Sequence, residues 1–119
     1  MTSFRKGDVV VCQFPYSDRN VRYRRPVLVV STAAFNDAQP IAWVLMITGA
    51  DNSRWPGDVD FGAHYEAAGL KNPSVIRTAK VSSVELGDAL RLGSVPSFIL
   101  SEVMTEIGSH LGLAGDTNG

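Results

Sequence analysis

Arg22-Tyr23-Arg24-Arg25-Pro26-Val27-Leu28-Val29-Val30-Ser31 sets a dense cationic stretch directly against an aliphatic one. Val27–Val30 is an unbroken run of valine and leucine, the pattern of a strand covered on both faces. Pro26 has a fixed φ and no N–H, so it suits the first residue of that strand and biases Arg25 toward an extended backbone. The polar segment before it, Pro15–Arg24, carries Pro15, Ser17, Asp18 and Asn20 and reads as a loop. On this reading Arg25 is a guanidinium held at the mouth of a rigid element. An anion-binding or catalytic arginine belongs in such a place.

The neighbouring segments supply the partners of that strand. Val9–Phe14 is a compact β-branched run with Cys12 inside it as a small core residue. Ile41–Thr48 is apolar almost throughout, and Thr48 is its first polar residue at the far end. Thr32–Pro40 reads as a loop or short helical turn, and Gly49–Gly57 as an exposed loop carrying Trp55, which either covers the core or an interface or stacks on a base. Asp58–Phe61 is a candidate short strand, and His64–Leu70 a turn or short helix ended by Gly69. Ser74–Val84 reads as one or two further strands from which Arg77 and Lys80 project, and Gly87 and Gly93 break the segment after it. From Phe98 to Leu111, Ile99, Leu100, Val103, Met104, Ile107 and Leu111 recur at helical spacing, with Pro96 before them and Gly112 after. Mostly strands followed by one closing helix, with no alternation of strand and helix, imply a small, strongly bent antiparallel sheet or barrel.

Length and composition narrow the class. A chain of 119 residues with 45% hydrophobic and 19% charged residues is expected to form a single globular domain over residues 1–119. No apolar run approaches the roughly 18–20 residues that span a bilayer. The N-terminal residues do not read as a signal peptide, and the single cysteine excludes an internal disulfide, so a cytoplasmic location is expected. Net charge is −1, yet residues 1–25 hold six basic side chains against two acidic ones, and residues 82–119 hold one basic against five acidic. The four arginines Arg19, Arg22, Arg24 and Arg25 fall within seven positions, which points to an electropositive surface near the first strands.

Several chemistries lack their residues. His64 and His110 stand far apart with no cysteine or carboxylate cluster at ligand spacing, so no metal and no cofactor is expected. His110 falls on the polar face of the last helix and reads as a surface residue. Nucleotide-binding glycine loops and the nucleophile elbow are missing. What remains is arginine with a hydroxyl. Arg25 and Thr48 converge if their strands are neighbours, and Arg77 adds a basic group from a later strand. Arginine matches phosphate oxygens bidentately and stays charged. RNA suits such a site, because its own 2′-OH attacks the adjacent phosphate and the protein supplies no nucleophile.

The succession Gly7-Asp8-Val9-Val10-Val11-Cys12-Gln13-Phe14-Pro15, Arg25-Pro26-Val27-Leu28-Val29-Val30-Ser31, Ile47-Thr48, Pro73-Ser74-Val75-Ile76-Arg77 and a closing helix resembles the MazF/PemK toxins of type II toxin–antitoxin modules. The likeness runs from about residue 5 to residue 113, and the order and spacing of the pieces are more specific than any one of them. It implies an SH3-like small antiparallel β-barrel with a C-terminal helix, assembled as a homodimer. It implies metal-independent, sequence-selective cleavage of single-stranded RNA, giving 2′,3′-cyclic phosphate and 5′-hydroxyl ends, and a cognate antitoxin that covers the RNA groove. By the resemblance Arg25 and Thr48 are the catalytic pair and Arg77 the late basic residue. Arg19, Arg22 and Arg24 are then expected to hold RNA phosphates from a mobile loop.

The pattern departs from many members in two places. Ala79 stands where an acidic residue follows two positions after the arginine matched by Arg77, and Pro15–Arg24 has neither glutamate nor glycine. Asp18 is the one carboxylate in that segment and the candidate acid–base group. The competing expectations are a same-fold toxin that binds DNA gyrase and a non-catalytic SH3-like binding module. The pairing of Arg25 with Thr48, and an extreme C-terminus without aromatic residues, favour the nuclease.

Overall fold

The computed structural model describes residues 3–15 and 22–113. Six strands, β1 (Asp8–Pro15), β2 (Arg22–Val29), β3 (Ile41–Gly49), β4 (Val59–Asp60), β5 (Ser74–Glu85) and β6 (Leu90–Ser94), form one sheet in the order β4-β5-β3-β2-β1-β6. Every pairing is antiparallel. Two helices complete it, α1 (Ala33–Ala38) and α2 (Ser97–Leu111), with a 3₁₀ turn at Gly62–His64. The sheet curls into a half-barrel closed by the C-terminal helix, the mostly-β architecture expected from the sequence. Among the described residues no helix is long and apolar enough to cross a membrane.

Alternation along the strands builds two cores. Val9, Leu28, Leu45, Ile47 and Ile76 point to one face, where Phe61, Ala68, Leu70 and the α2 residues Ile99 and Val103 cover them. Val10, Cys12, Phe14, Val27, Val29, Ala42 and Val44 point to the other, which the curl closes with Phe4, Val84 and Ala89. Val27, Leu28 and Val29 are fully buried, as a strand covered on both faces requires. Burial pushes the Cys12 thiol up to about 11, with Asp88 adding to the shift and Arg24 opposing it. That is a packed thiol and not a nucleophile. At Gly69 (φ +87°) a Cβ would lie 2.4 Å from the Leu92 carbonyl oxygen, so the turn before β5 reaches β6 only through glycine.

Strand β2 departs from expectation. It begins at Arg22, so Arg22 and Arg24 lie in a strand and not in a loop, Arg25 lies within the strand and not at its mouth, and Pro26 sits in its middle. The segment stays extended because β1 pairs with it from Val9↔Leu28 to Pro15↔Arg22. On its other edge β2 meets β3 only at Val27↔Met46, Leu28↔Leu45 and Val29↔Val44, with Val30 N–H donating to the Trp43 carbonyl. Backbone groups of an antiparallel strand alternate between its two neighbours. Since Val30 N–H faces β3, so do the nitrogens of Leu28 and Pro26. The next donor in that ladder would therefore be Pro26, which has none. The ladder ends there and the sheet splits between β2 and β3.

The sequence also under-reads the region after Gly87. Residues 90–94 form β6 on the free edge of β1, at Asp8↔Ser94 through Val11↔Leu90. Arg91 clasps the buried Asp8 carboxylate at 2.9 Å, and Asp8 also accepts the Arg5 N–H. Helix α1 is short and capped by Thr32, whose hydroxyl accepts the Phe35 N–H.

The split has a direct readout in amide hydrogen exchange. Arg24 N–H faces the β3 side beyond the proline, whereas Arg25 N–H faces β1. Arg24 is expected to exchange markedly faster than Arg25 and Leu28; equal protection would mean that the ladder continues past Pro26.

Candidate active site

The split brings the two expected site residues into opposition. Every β2–β3 pair keeps one register, so continuing it two residues past Val27↔Met46 sets Arg25 across from Thr48. Both also share a face. Arg25 alternates with Val27 and Val29, and Thr48 with Met46, Val44 and Ala42, all on the second core. Arg25 pairs with Cys12 on β1 and is half-buried, with its Nε out of contact with water. Thr48 pairs with Val75 on β5 and is 7% exposed. A guanidinium and a hydroxyl thus share one face on facing stretches of β2 and β3, carried by strands rather than loops.

Beyond Thr48 the chain turns sharply, with Asn52 N–H donating to the Gly49 carbonyl and Ala50 N–H to that of Pro73. The turn folds the Asn52 side chain back, and its Nδ2 donates to Thr48 Oγ1 at 2.7 Å. The sequence pattern does not single out Asn52. Its signal is a turn-forming Gly-Ala-Asp-Asn run directly after the one polar residue of β3.

Arg77 lies on β5, the late strand expected for it, but its guanidinium is engaged within the protein. Strand β5 shifts register by a bulge between its pairings with Leu45 and Met46, so that Arg77 lies opposite Met46, one row from Thr48. Its guanidinium is not an open cation. Nε and Nη2 bond the two Asp58 carboxylate oxygens at 3.2 and 3.0 Å, and Nη2 also donates to the Ser53 carbonyl. Both side chains of this ion pair are buried, at 8% and 2% exposure. Trp55 roofs the pair, its ring centroid 4.4 Å from the guanidinium carbon, and stays 41% exposed. Arg77 therefore pins residues 53–58, the continuation of the turn that holds Thr48.

The same loop is tied to the C-terminal helix. Gly57 (φ +88°) would place a Cβ 2.9 Å from Thr78 Oγ1, and the glycine lets the Thr78 hydroxyl donate to its carbonyl at 2.8 Å. Thr78 Oγ1 also lies 2.9 Å from His110 Nε2. With the hydroxyl proton committed to Gly57, the ring nitrogen is the donor. His110 is thus an anchor of α2 and not only a surface residue.

The other expected residues divide. Arg24 faces away from Thr48, toward the β5–β6 connection, where it pairs with Asp88 at 3.2 Å and donates to the Asp88 and Val11 carbonyls. Arg22 lies at the start of β2, paired with Pro15. Arg19 and Asp18 lie outside the described residues. Ala79 sits exposed in the β5 bulge. Among the described residues, no group of three or more His, Cys, Asp or Glu side chains converges.

Comparison with known proteins matches the fold. MazF from Deinococcus radiodurans superposes with a TM-score of 0.78 at 26% identity, over 95% of this chain and all of that one. The same organism's MazF in its MazE–MazF complex gives 0.78 at 25% identity, over the same shares of the two chains. A mycobacterial endoribonuclease in complex with its cognate antitoxin gives 0.72 at 20% identity, over 95% of this chain and 97% of that one. A search of curated protein sequences finds no significant match. The fold is that of a small toxin of a toxin–antitoxin module. The model of the PemK-like, MazF-like toxins of type II toxin–antitoxin systems matches residues 5–114, and the chain belongs to that family.

The Asp58–Arg77 pair makes a stability prediction. Burial alone would push the Asp58 carboxyl up, but hydrogen bonds from Arg77 and Trp55 N–H, with the charges of Arg77 and Arg54, outweigh it and hold the carboxyl below its usual range. A carboxyl depressed in the folded state stabilises fully above the unfolded value of about 4, and that contribution is lost as pH falls below it. Asp58→Ala strands a buried guanidinium and is expected to cost about 3–5 kcal/mol at neutral pH, read by denaturant unfolding. The difference from wild type should shrink below pH about 4. A loss under about 1 kcal/mol would show that the pair behaves as an exposed one.

Proposed function

We propose that this protein is a metal-independent endoribonuclease that cleaves single-stranded RNA, with Arg25 and Thr48 as its catalytic pair. The observation that carries the reading is their opposition across the split between β2 and β3, on one face of the sheet. Family membership supports the reaction class, since toxins of this family are generally endoribonucleases with antitoxin partners.

In the proposed reaction the 2′-oxygen attacks the adjacent phosphorus, the P–O2′ bond forms and the P–O5′ bond breaks. A base takes the 2′-OH proton and the departing 5′-oxygen receives one, leaving a 2′,3′-cyclic phosphate and a 5′-hydroxyl. Arg25 stays cationic and offsets the charge that builds on the equatorial phosphoryl oxygens. Thr48 donates a hydrogen bond from its hydroxyl to one of them. Asp18 is the proposed acid–base group, because Ala79 supplies none. Arg19, Arg22 and Arg24 follow the RNA backbone. For Arg24 the role requires exchanging Asp88 for phosphate, a small barrier for so exposed a pair. Arg77, paired with Asp58, acts by holding the loop that follows Thr48.

Partners belong to the same proposal. The protein is proposed to act in the cytoplasm as a homodimer silenced by a cognate antitoxin, as in the MazE–MazF complex of the Deinococcus relative.

Primer extension on a long RNA in excess EDTA tests the proposal. Wild type is expected to give discrete cuts that EDTA leaves unchanged. Arg25→Ala and Thr48→Ala should each lose about 100- to 1,000-fold or more in rate while keeping the wild-type melting temperature. Intact RNA with folded wild type, or normal cutting by either variant, would sink it. Arg22→Ala is expected to weaken RNA binding and to flatten the salt dependence by about 0.7 in logarithmic slope. An unchanged slope would take Arg22 off the RNA path.

A further inference from the structure

We infer that Asn52 is a positioning residue that sets the direction of the Thr48 hydroxyl proton; the inference rests on the proposed role of Thr48. A threonine hydroxyl holds one proton and two acceptor sites. Left to itself in a largely buried position, that proton turns toward whichever acceptor is nearest. Here one acceptor site of Thr48 Oγ1 is occupied by the Asn52 carboxamide N–H at 2.7 Å. The hydroxyl proton cannot point back along that bond, so it is aimed elsewhere, available to an oxygen placed between Thr48 and Arg25. A donor aimed before the substrate arrives needs no reorganisation when charge develops on the phosphate.

The loop is built to keep the carboxamide there. Asn52 closes the turn on Gly49, Arg77 holds the next residue through the Ser53 carbonyl, and Asp58 accepts the Trp55 N–H. Asn52 itself is exposed and contributes to neither core, so its side chain does no packing that would explain its place. The charged groups around it are Asp51 beside it in the turn, Arg25 across the split, and the Arg77–Asp58 pair behind the loop.

The inference separates aspartate from asparagine. Asn52→Asp keeps the size of the side chain but replaces the N–H donor by a carboxylate, which accepts a hydrogen bond from the Thr48 hydroxyl and so turns it away from the substrate. With a 2′-hydroxyl RNA substrate, kcat is expected to fall about 100-fold or more, the loss of one preorganised donor. KM and the melting temperature should stay near wild type. Because a protonated carboxyl can again donate, the ratio of Asn52→Asp to wild-type kcat should rise as pH falls toward about 4. In a double-mutant cycle Asn52→Asp should add nothing to Thr48→Ala, since both act through one hydroxyl. Normal kcat in the variant, a loss confined to KM, a pH-independent ratio, or a full additive loss in the double variant would each overturn the inference. If wild type cleaves and Thr48→Ala does not, a failure of these outcomes falls on Asn52 alone. If wild type leaves RNA intact, it is the nuclease reading that fails.

Discussion

The missing N–H of Pro26 is the constraint on which the candidate site depends. Strand β2 is tied to β1 from Arg22 to Leu28, so its path is fixed on that side whatever happens on the other. Toward β3 the ladder runs from Val30 back to Leu28 and then meets a residue that cannot donate. The two strands continue past that point with other partners, β2 on β1 and β3 on β5. The ladder of a sheet that would otherwise be continuous is interrupted in its middle, between two strands each held by its other neighbour. The residues that flank the interruption, Arg25 and Thr48, inherit their opposition from the register and their shared face from the pleat.

A strand holds Cα positions but not hydroxyl directions, and the loop after β3 supplies the second level of order. Residues 49–58 contain Gly, Pro and Asn and have little apolar surface to hold them. What holds them is polar: Asn52 on Thr48, Arg77 on Ser53 and Asp58, Thr78 on Gly57. The Asp58–Arg77 pair is buried, so its geometry matters more than that of an exposed pair, and loss of one partner is costly. Through Thr78 and His110 the same network reaches the last turn of α2. Packing on the first core fixes the helix at Ile99 and Val103, and this bond fixes its far end.

Most of the strands, the closing helix and the place of Thr48 near the end of β3 are legible in the sequence because each depends on local pattern. Valine runs, a helical stripe and the first polar residue after an apolar strand are all visible in one dimension. Strand β2 reads too short because arginines are poor evidence of a strand; pairing with β1, a non-local fact, extends it. β6 escapes notice for a related reason. Residues 90–94 are mostly exposed and include Gly93, so they lack the pattern of a buried strand, and they become one by adding to the edge of β1. Asn52 and Asp58 are invisible as site residues because their importance lies in what they touch. A turn-forming asparagine and an aspartate before a strand look ordinary until the fold brings Thr48 and Arg77 to them.

Charge shows the same limit from another side. The sequence separates a basic N-terminal region from an acidic C-terminal one, and read linearly this suggests an electropositive surface near the first strands. Folding partly undoes it. Because β6 adds to β1, Arg91 reaches Asp8 and Asp88 reaches Arg24, so each region is stitched to the other by an ion pair. Strand alternation does the rest, sending Arg24 and Arg25 to opposite faces although they are neighbours in the chain. The arginine cluster is therefore not one uniform patch. Arg24 is an exposed cation already met by a carboxylate, Arg77 is a buried strut, and Arg25 is the guanidinium that the pleat sets across from a threonine. Residue type alone could not have divided them; the parity of a strand and the course of one loop do.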